Sequence, residues 1–350
     1  MPTPLSDFGE FALIDHLHKD YKTKNASTLL GIGDDAAVLK SLPANEVELV
    51  TTDLLLEGIH FDLTYTPLKH LGYKAIAVNL SDIYAMNGTP RQVTVSLGIS
   101  SKFSVEQIEE LYQGIYLACE RYHVDLVGGD TSASLNGLMI SITCLGHTPH
   151  DKVVYRSGAK VNDLICVSGN LGAAYMGLML LEREKKVFLE TNSPYFEPSF
   201  KGKEYIIERQ LKPEPRADII QSLANAGMQP TAMMDISDGL SSELLHIAKS
   251  SQVGIAVYED RLPIDHETLA MAEELNLNPL TVALNGGEDY ELLLTLPLED
   301  FDRIPQIQDL HIIGKVTTKE EGNLIITSSD SAIELVAQGW NATSALKVQQ

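Results

Sequence analysis

The fold class is decided by residues 93–130, which read VTVSLGISSKFSVEQIEELYQGIYLACERYHVDLVGGD. Val93 to Ile99 alternates in the manner of a strand, and Val105 to Tyr122 has the apolar spacing of a helix. Asp125 to Val127 predicts a second strand, which leads into Gly128-Gly129-Asp130. Strands and helices in alternation predict an α/β or α+β first half of the chain.

Neighbouring segments extend this pattern in both directions. Val47 to Thr52 predicts a strand that enters a loop at Asp53, and Leu68 to Asn87 predicts a helix. Around residues 147–160 polar residues replace the apolar periodicity, and we expect a domain boundary there. The prediction is a two-domain α/β (α+β) subunit, with an N-terminal domain over residues 1–148 and a C-terminal α/β domain over residues 149–350.

The second half shows the same mixture of elements. Leu164 to Ser168 predicts a buried strand, which is followed by a glycine turn and by a helix to about Leu181. Residues 182–214 are charged and contain prolines, so we expect a surface insertion, or a mobile helix and loop, near residues 182–212. Further helices are predicted at residues 217–226, 240–250 and 267–275, and strands at 290–296 and 311–316.

Composition excludes several classes of function. The 350 residues include 26 Lys and Arg against 48 Asp and Glu, which gives a formal net charge of −22. The electrostatic field of so much negative charge opposes binding to nucleic acid or to an anionic membrane. No apolar run approaches the roughly 20 residues of a membrane span. Cys119, Cys144 and Cys166 lack zinc-ligand spacing and are expected to be buried thiols. Because the N-terminus shows no signal-like pattern, we expect a cytoplasmic protein.

Six short segments place Asp or Glu beside Gly, Ser, Thr or Asn at the ends of predicted elements. They are Gly31–Asp35, Thr51–Asp53, Asn79–Asp82, Gly128–Thr131, Asp235–Gly239 and Gly286–Asp289. Carboxylates repel phosphate, but they bind Mg²⁺, and Mg²⁺ binds phosphate. The set therefore predicts a site for a metal-bridged polyphosphate, and no Walker-type glycine loop accompanies it.

Each segment also has a purely structural explanation. Asp34 can belong to a solvated turn, Asp53 can be a loop or cap residue, and Asp82 can pair with Lys74 inside the helix. Residues 235–239 can form a plain helix N-cap, although the N–H groups at a helix start also suit phosphate oxygens. Glu288 can face an organic cation or cap a turn.

The order of these motifs resembles that of thiamine-monophosphate kinase, a family within the aminoimidazole ribonucleotide synthetase superfamily. The resemblance covers nearly the whole chain and includes GIHF at 58–61, RSGAK at 156–160 and GGEDYEL at 286–292. It implies an N-terminal mixed sheet with helices, a C-terminal α/β domain and a homodimer. It also implies transfer of the ATP γ-phosphoryl group to thiamine monophosphate with several Mg²⁺ ions, which yields thiamine diphosphate and ADP.

The resemblance further implies roles for individual residues. The metal ions would be held by Asp34, Thr51, Thr52, Asp53, Asp82, Asp130, Asp235 and Asp238. ATP would be contacted by Tyr112, Gly129, Arg156 and Ser237. The thiamine substrate would be contacted by His60, Glu288 and Trp340. The residues expected to act in catalysis are Asp53, Asp82, Asp130 and Arg156.

The implied reaction needs charge neutralisation more than proton transfer. The acceptor is a phosphate oxygen that is already deprotonated near neutral pH, so no general base is required. Mg²⁺ held by the carboxylates would align the two phosphates, and Arg156 and Lys74 would add positive charge. Trp340 and Glu288 would face the cationic thiazolium ring.

Two alternatives stay open. One is another ATP-dependent synthetase of the superfamily. A selenide enzyme would be expected to carry a reactive Cys near its N-terminus, but the first Cys here is Cys119. A hydrogenase-maturation relative would be expected to end in Cys, but the last residue here is Gln350. Both absences count against these relatives. The other alternative is a non-enzymatic module that binds Mg²⁺ or nucleotide. Such a module would explain the acidic segments but not Arg156, Glu288 and Trp340 together.

Overall fold

Two large β-sheets organise the protein, one in each half of the chain. The structure, a computed structural model, describes residues 16–30, 38–191, 195 and 198–338. The chain divides into two compact units, Met1–Val153 and Val154–Gln350. The first unit contains a four-stranded sheet and the second a seven-stranded sheet, and both carry helices, so the predicted α/β class is confirmed. None of the helices described is long and apolar enough to cross a bilayer.

The first unit packs two long helices together and one of them against its sheet. Its elements are β1 (Thr28–Leu30), β2 (Val38–Leu39), β3 (Glu46–Leu56), α1 (Leu68–Ala85), β4 (Thr89–Ile99), α2 (Val105–Arg121), β5 (Asp125–Ala133) and β6 (Met139–Pro149). The sheet order is β3-β6-β4-β5, in which β4 and β5 are parallel and the other pairs are antiparallel. The strand, helix and strand predicted from residues 93–130 therefore form one parallel unit.

Helix α1 is the most deeply buried element of this unit. Of its 18 residues, only Lys69, His70 and Asp82 are not buried. It contacts β3, β4, β6 and α2, because a helix with apolar residues around its whole circumference belongs in the interior. Asp82 is the acidic residue of this mostly apolar buried helix, which also buries Lys74, Asn79 and Ser81.

Two strands continue beyond the points where the sequence predicts that they end. β3 runs through Asp53 to Leu56, and β5 runs through Asp130 to Ala133. The predicted loops at Asp53 and Asp130 are therefore wrong. β3 pairs with β6 along its whole length, and β5 pairs with β4 as far as Ala133. These ladder hydrogen bonds outweigh the weak strand propensity of Asp and Gly.

The second unit contains the longer series of elements. They are β7 (Leu164–Ser168), α3 (Ala173–Thr191), α4 (Glu204–Leu211), α5 (Ala217–Ala226), β8 (Ala232–Asp235), α6 (Leu240–Ser251), β9 (Gly254–Tyr258), α7 (His266–Glu274), α8 (Pro279–Asn285), β10 (Leu292–Leu296), β11 (Leu310–Thr317), β12 (Asn323–Ile326) and β13 (Ala332–Glu334). The sheet order is β13-β12-β9-β11-β7-β10-β8, and only β9 and β12 pair in parallel. Apolar residues of the sheet pack against α6 and α8.

The segment expected to be a surface insertion, or a mobile helix and loop, is largely helical. α3 continues to Thr191, and α4 covers Glu204–Leu211. The buried residue Ile206 of α4 packs in one apolar cluster with Met176 and Leu180 of α3. The two helices touch at Gly177, where a Cβ atom would lie 2.1 Å from the Ile206 carbonyl oxygen. α4 is therefore part of the core of the second unit.

Candidate active site

In the first unit, β3 and α1 bring Thr51, Asp53 and Asp82 together. The Thr51 Oγ1 hydroxyl donates a hydrogen bond of 2.6 Å to Asp82 Oδ2. Thr51 and Asp53 are two residues apart on one strand and therefore share a face. Burial, followed by the negative charge of Asp82, raises the pKa of Asp53 to about 6. A carboxyl group whose pKa is raised by a neighbouring carboxylate favours a bound cation.

Thr52 lies on the opposite face of β3. Its hydroxyl donates to the Ile142 carbonyl oxygen at 2.9 Å and accepts a hydrogen bond from Thr143 Oγ1 at 3.2 Å. The structure thus separates the Thr52 side chain from Thr51 and Asp53. Its assignment as a metal ligand stays a prediction.

Asp130 and Gly129 lie on β5, at the far edge of the same sheet. Asp130 is exposed and pairs with Ser96 of β4. Strands are about 4.8 Å apart, so the three steps from β5 to β3 separate Asp130 from Asp53 by roughly 14 Å along the sheet. A Cβ atom at position 129 would lie 1.8 Å from the Val95 carbonyl oxygen. Close packing between strands therefore already requires glycine there, whether or not ATP binds.

His60 and Tyr112 differ in how they are held. The backbone N–H of Leu56 donates to His60 Nδ1 at 3.0 Å, which orients the imidazole at the end of β3. Tyr112 is only 5% exposed, and its ring packs edge-on against His18, with centroids 5.2 Å apart. Burial raises the pKa of the Tyr112 phenol above its usual range. Contact between Tyr112 and ATP stays a prediction.

In the second unit, Asp235, Ser237 and Asp238 lie where β8 ends and α6 begins. Glu243, in the first turn of α6, accepts a hydrogen bond of 3.1 Å from the Asp238 backbone N–H. Burial, with smaller contributions from the charges of Asp238 and Asp235, raises the pKa of Glu243 to about 8. Its Oε2 atom is buried and has no hydrogen-bond partner in the described chain. We did not anticipate Glu243 from the sequence, although an acid one turn after Asp-Gly in a helix start was a usable signal.

Arg156 supplies positive charge near this turn. Burial raises the pKa of Asp238, whereas His246 and then Arg156 lower it through their charges. Arg156 is itself exposed. The structure therefore brings three of the predicted residues, Arg156, Asp235 and Asp238, into one electrostatic neighbourhood.

Glu288 lies in a segment that hydrogen-bonds to the same turn. The Glu288 N–H donates to the Ser237 carbonyl oxygen at 2.7 Å, and the Tyr290 N–H donates to that of Ile236 at 2.8 Å. Glu288 and Tyr290 have φ angles of 56° and 50°, which are uncommon outside glycine. Two motifs that are 50 residues apart in the sequence thus form one paired surface.

Behind Glu288 lies a buried ionic network that the sequence analysis missed. Glu291 accepts hydrogen bonds from Arg209 at 2.8 Å, Arg216 at 2.7 Å and Ser168 at 2.5 Å. Arg209 also donates to the Asp289 carbonyl oxygen at 2.7 Å. Arg209 lies inside the segment expected to be a surface insertion, and Arg216 lies just beyond it, so no periodic signal pointed to them.

The donor atoms fit a hard divalent cation. Carboxylate and hydroxyl oxygens are the ligands that Mg²⁺ prefers, and the buried Glu243 Oε2 atom lacks a partner. Within residues 16–30, 38–191, 195 and 198–338, however, no group of three or more His, Cys, Asp and Glu side chains is placed to hold a metal ion. Asp34 and Trp340 lie outside the described residues.

Comparison with known proteins identifies relatives over nearly the whole chain. Residues 33–148 match the N-terminal domain of AIR synthase related protein, and residues 160–327 match its C-terminal domain. A thiamine-monophosphate kinase of Bacillus subtilis is 36% identical over 337 residues, which cover 95% of this chain and 98% of the relative.

Solved structures agree with this result. AaThiL complexed with AMPPCP and TMP is 34% identical, with a TM-score of 0.72 over 97% of this chain and 98% of that chain. Thiamine-monophosphate kinase from Stenotrophomonas maltophilia K279a is 31% identical, with a TM-score of 0.77 over 94% of this chain and 98% of that one. The chain belongs to the thiamine-monophosphate kinase family, within the AIR synthase related proteins.

Proposed function

We propose that this chain transfers the γ-phosphoryl group of ATP directly to the phosphate of thiamine monophosphate, which yields thiamine diphosphate and ADP. The observation that carries the proposal is the contact between β3 and α1, where Thr51, Asp53 and Asp82 meet and burial and the Asp82 charge raise the pKa of Asp53. The relative with AMPPCP and TMP bound supports this choice of substrates.

Mg²⁺ is the cation that these residues suit. Bound there, it would neutralise phosphate oxygens and favour in-line displacement. The residues proposed to hold several Mg²⁺ ions are Asp34, Thr51, Thr52, Asp53, Asp82 and Asp130 in the first unit and Asp235 and Asp238 in the second. Arg156 would contribute the positive charge that a carboxylate site cannot supply to phosphate. Ser237 would contact ATP at the start of α6, where backbone N–H groups favour anions.

The thiamine end of the substrate is assigned to His60, Glu288 and Trp340. The Glu288 carboxylate would face the fixed positive charge of the thiazolium ring, and an aromatic ring at position 340 could stack on it. The described chain ends with Gln338, whose N–H donates to Asn285 Oδ1 at 2.7 Å. Asn285 precedes Gly286-Gly287-Glu288, so the end of the described chain is attached beside the segment that carries Glu288.

We propose that a second copy of the chain supplies the carboxylate that completes the metal site. β3 and β5 are the two edges of the first sheet, and the roughly 14 Å between Asp53 and Asp130 is more than one ion can bridge. In a two-fold dimer, the β5 edge of one copy can lie beside the β3 edge of the other. The exposed apolar side chains Val50 and Leu54, on the face of β3 opposite to Thr51 and Asp53, support burial of β3 against another copy.

Mixed dimers test this assignment. Asp53→Asn and Asp130→Asn chains should each be inactive as homodimers. In a two-fold dimer with random exchange, half of the dimers are mixed, and each has one intact site, so activity should recover to about a quarter of that of the unmodified protein. If mixing restores nothing, both carboxylates act within one chain and the assignment fails.

The proposed reaction takes place in the cytoplasm. Cys119, Cys144 and Cys166 are buried and unpaired, and burial raises the pKa of each thiol. Thiols that persist without pairing are typical of a reducing compartment.

An ADP-release assay with Mg-ATP tests the function itself. We expect turnover with thiamine monophosphate, accompanied by thiamine diphosphate, and none with thiamine or without an acceptor. ATP binding without such turnover would instead favour another synthetase of the superfamily or a non-enzymatic binding module.

A further inference from the structure

Helix α4 contacts the Glu288 side chain directly. Gln210, near the end of α4, donates a hydrogen bond of 2.9 Å from Nε2 to Glu288 Oε2. Gln210 is only 6% exposed, so it contacts Glu288 from within the protein. The preceding residue, Arg209, donates to the Asp289 carbonyl oxygen and to Glu291. Consecutive residues of one helix thus hold the side chain of Glu288 and the backbone that follows it.

The segment that carries Glu288 needs such support. Positive φ angles at Glu288 and Tyr290 are unfavourable for residues with a Cβ atom and persist only where the surroundings impose them. The Asp289 carboxylate is fixed on the other side, because the Gly172 N–H donates to both of its oxygens at 3.0 and 2.9 Å. Gly172 directly precedes α3, where the helix dipole favours a negative charge.

α3 and α4 form one packed body behind this segment. The contact at Gly177 and the apolar cluster around Ile206 join the two helices. The backbone of the Glu288 segment is therefore fixed by α3 through Asp289 and by α4 through Arg209. Gln210 is placed to orient the carboxylate itself.

We infer that Gln210 is a positioning residue that holds the Glu288 carboxylate in the orientation in which it binds a cationic ring of the substrate. This inference rests on the proposed function, since it assigns to Gln210 part of the affinity for thiamine monophosphate. A glutamine donor suits this role because it fixes one carboxylate oxygen without adding a positive charge that would repel the substrate.

The variant Gln210→Leu tests the inference. Leucine is of similar size and suits a buried position, but it has no hydrogen-bond donor for Glu288. We expect the KM for thiamine monophosphate to rise about tenfold, which corresponds to about 1.4 kcal/mol. The KM for ATP and kcat should stay within about twofold, because the altered contact concerns the cationic ring alone.

Gln92→Leu is the matched control. Gln92 is also buried, at 4% exposure, and its amide donates to Ser27 Oγ and Thr28 Oγ1 in the first unit. A general loss of stability from a missing buried amide should affect both variants. A rise in KM for thiamine monophosphate alone should occur only in Gln210→Leu.

A double-mutant cycle separates positioning from a merely structural role. In a Glu288→Gln background, Gln210→Leu should have no further effect on the KM for thiamine monophosphate. An equal effect in both backgrounds, or an unchanged KM in Gln210→Leu, would overturn the inference while the kinase activity stood. Absence of turnover in the unmodified protein would instead overturn the proposed function.

Discussion

Two pairs of carboxylates, Asp53 with Asp82 and Asp289 with Glu291, differ in what surrounds them. Burial and the charge of Asp82 raise the pKa of Asp53 to about 6. Burial also raises the pKa of Asp289, to about 7, but Glu291 is buried between Arg209 and Arg216, and the Asp289 carboxylate accepts two hydrogen bonds from Gly172. The charge of Asp82 acts on a neighbouring carboxyl group, which suits an added cation, whereas Glu291 is held between two arginines that it joins to the protein.

The comparison shows that an acidic motif has no single meaning. Gly-Gly-Glu-Asp-Tyr-Glu contains one carboxylate proposed to bind substrate, Glu288, and two that are structural. A carboxylate with cationic partners inside the protein should matter for stability, and one without them should matter for activity. The predictions below follow this distinction.

The largest expected effect is on stability. Glu291→Gln leaves Arg209 and Arg216 without their shared carboxylate, so the free energy of unfolding should fall by about 3–5 kcal/mol. Glu274→Gln is the control, because Glu274 also pairs with two cations, Arg183 and Lys203, but its side chain is 45% exposed. Glu274→Gln should lower the free energy of unfolding by less than about 1 kcal/mol. Urea unfolding measures both values, and equal losses would contradict the comparison.

A smaller free-energy effect is expected on catalysis. Asp53→Asn or Asp82→Asn should lower turnover by about 10²–10³-fold, because each removes charge that would bind the cation opposite the transferred phosphoryl group. Unfolding free energy should not fall in parallel. Near-normal turnover of either variant at saturating Mg²⁺ would refute the metal assignment.

The smallest expected effect concerns the hydroxyl that joins β3 to α1. Thr51→Val removes the hydrogen bond to Asp82 and keeps the shape of the side chain. The contact between β3 and α1 should therefore lose about 1 kcal/mol of stability. We expect a several-fold rise in the Mg²⁺ concentration that gives half-maximal turnover. A rise as large as that for Asp53→Asn would show that Thr51 itself is a principal metal ligand.

Periodicity predicted the elements well where packing is local. Residues 93–130 form the expected parallel unit, and Leu164–Ser168 and Ala217–Ala226 form the expected strand and helix. The helix predicted over Leu68 to Asn87 also forms, over Leu68–Ala85, and carries Asp82. In each case the apolar pattern of one segment determines which of its sides is buried.

The sequence did not predict which strands and helices that are distant in the chain contact each other. The strand order β3-β6-β4-β5 places Asp53 and Asp130 at opposite edges, and no local signal encodes that order. The contacts of Arg209 and Gln210 with the Glu288 segment depend on how α4 packs on α3. Glu243 was missed because its role depends on the Asp238 N–H in a turn, not on its own helical position.

The central claim is that Asp53 and Asp82 bind Mg²⁺. Thermal unfolding of the unmodified protein and of Asp53→Asn, each with and without Mg²⁺, tests it most directly. The folded protein raises the Asp53 pKa from its ordinary value of 3.8 to about 6. Stability associated with the protonated form is therefore lost as the pH rises through about 6. At pH 8 metal-free Asp53→Asn should melt above the unmodified protein, and this difference should shrink below pH 6. Mg²⁺ should raise the melting temperature of the unmodified protein much more than that of the variant. A metal-free variant that melts lower, with an undiminished response to Mg²⁺, would contradict the account.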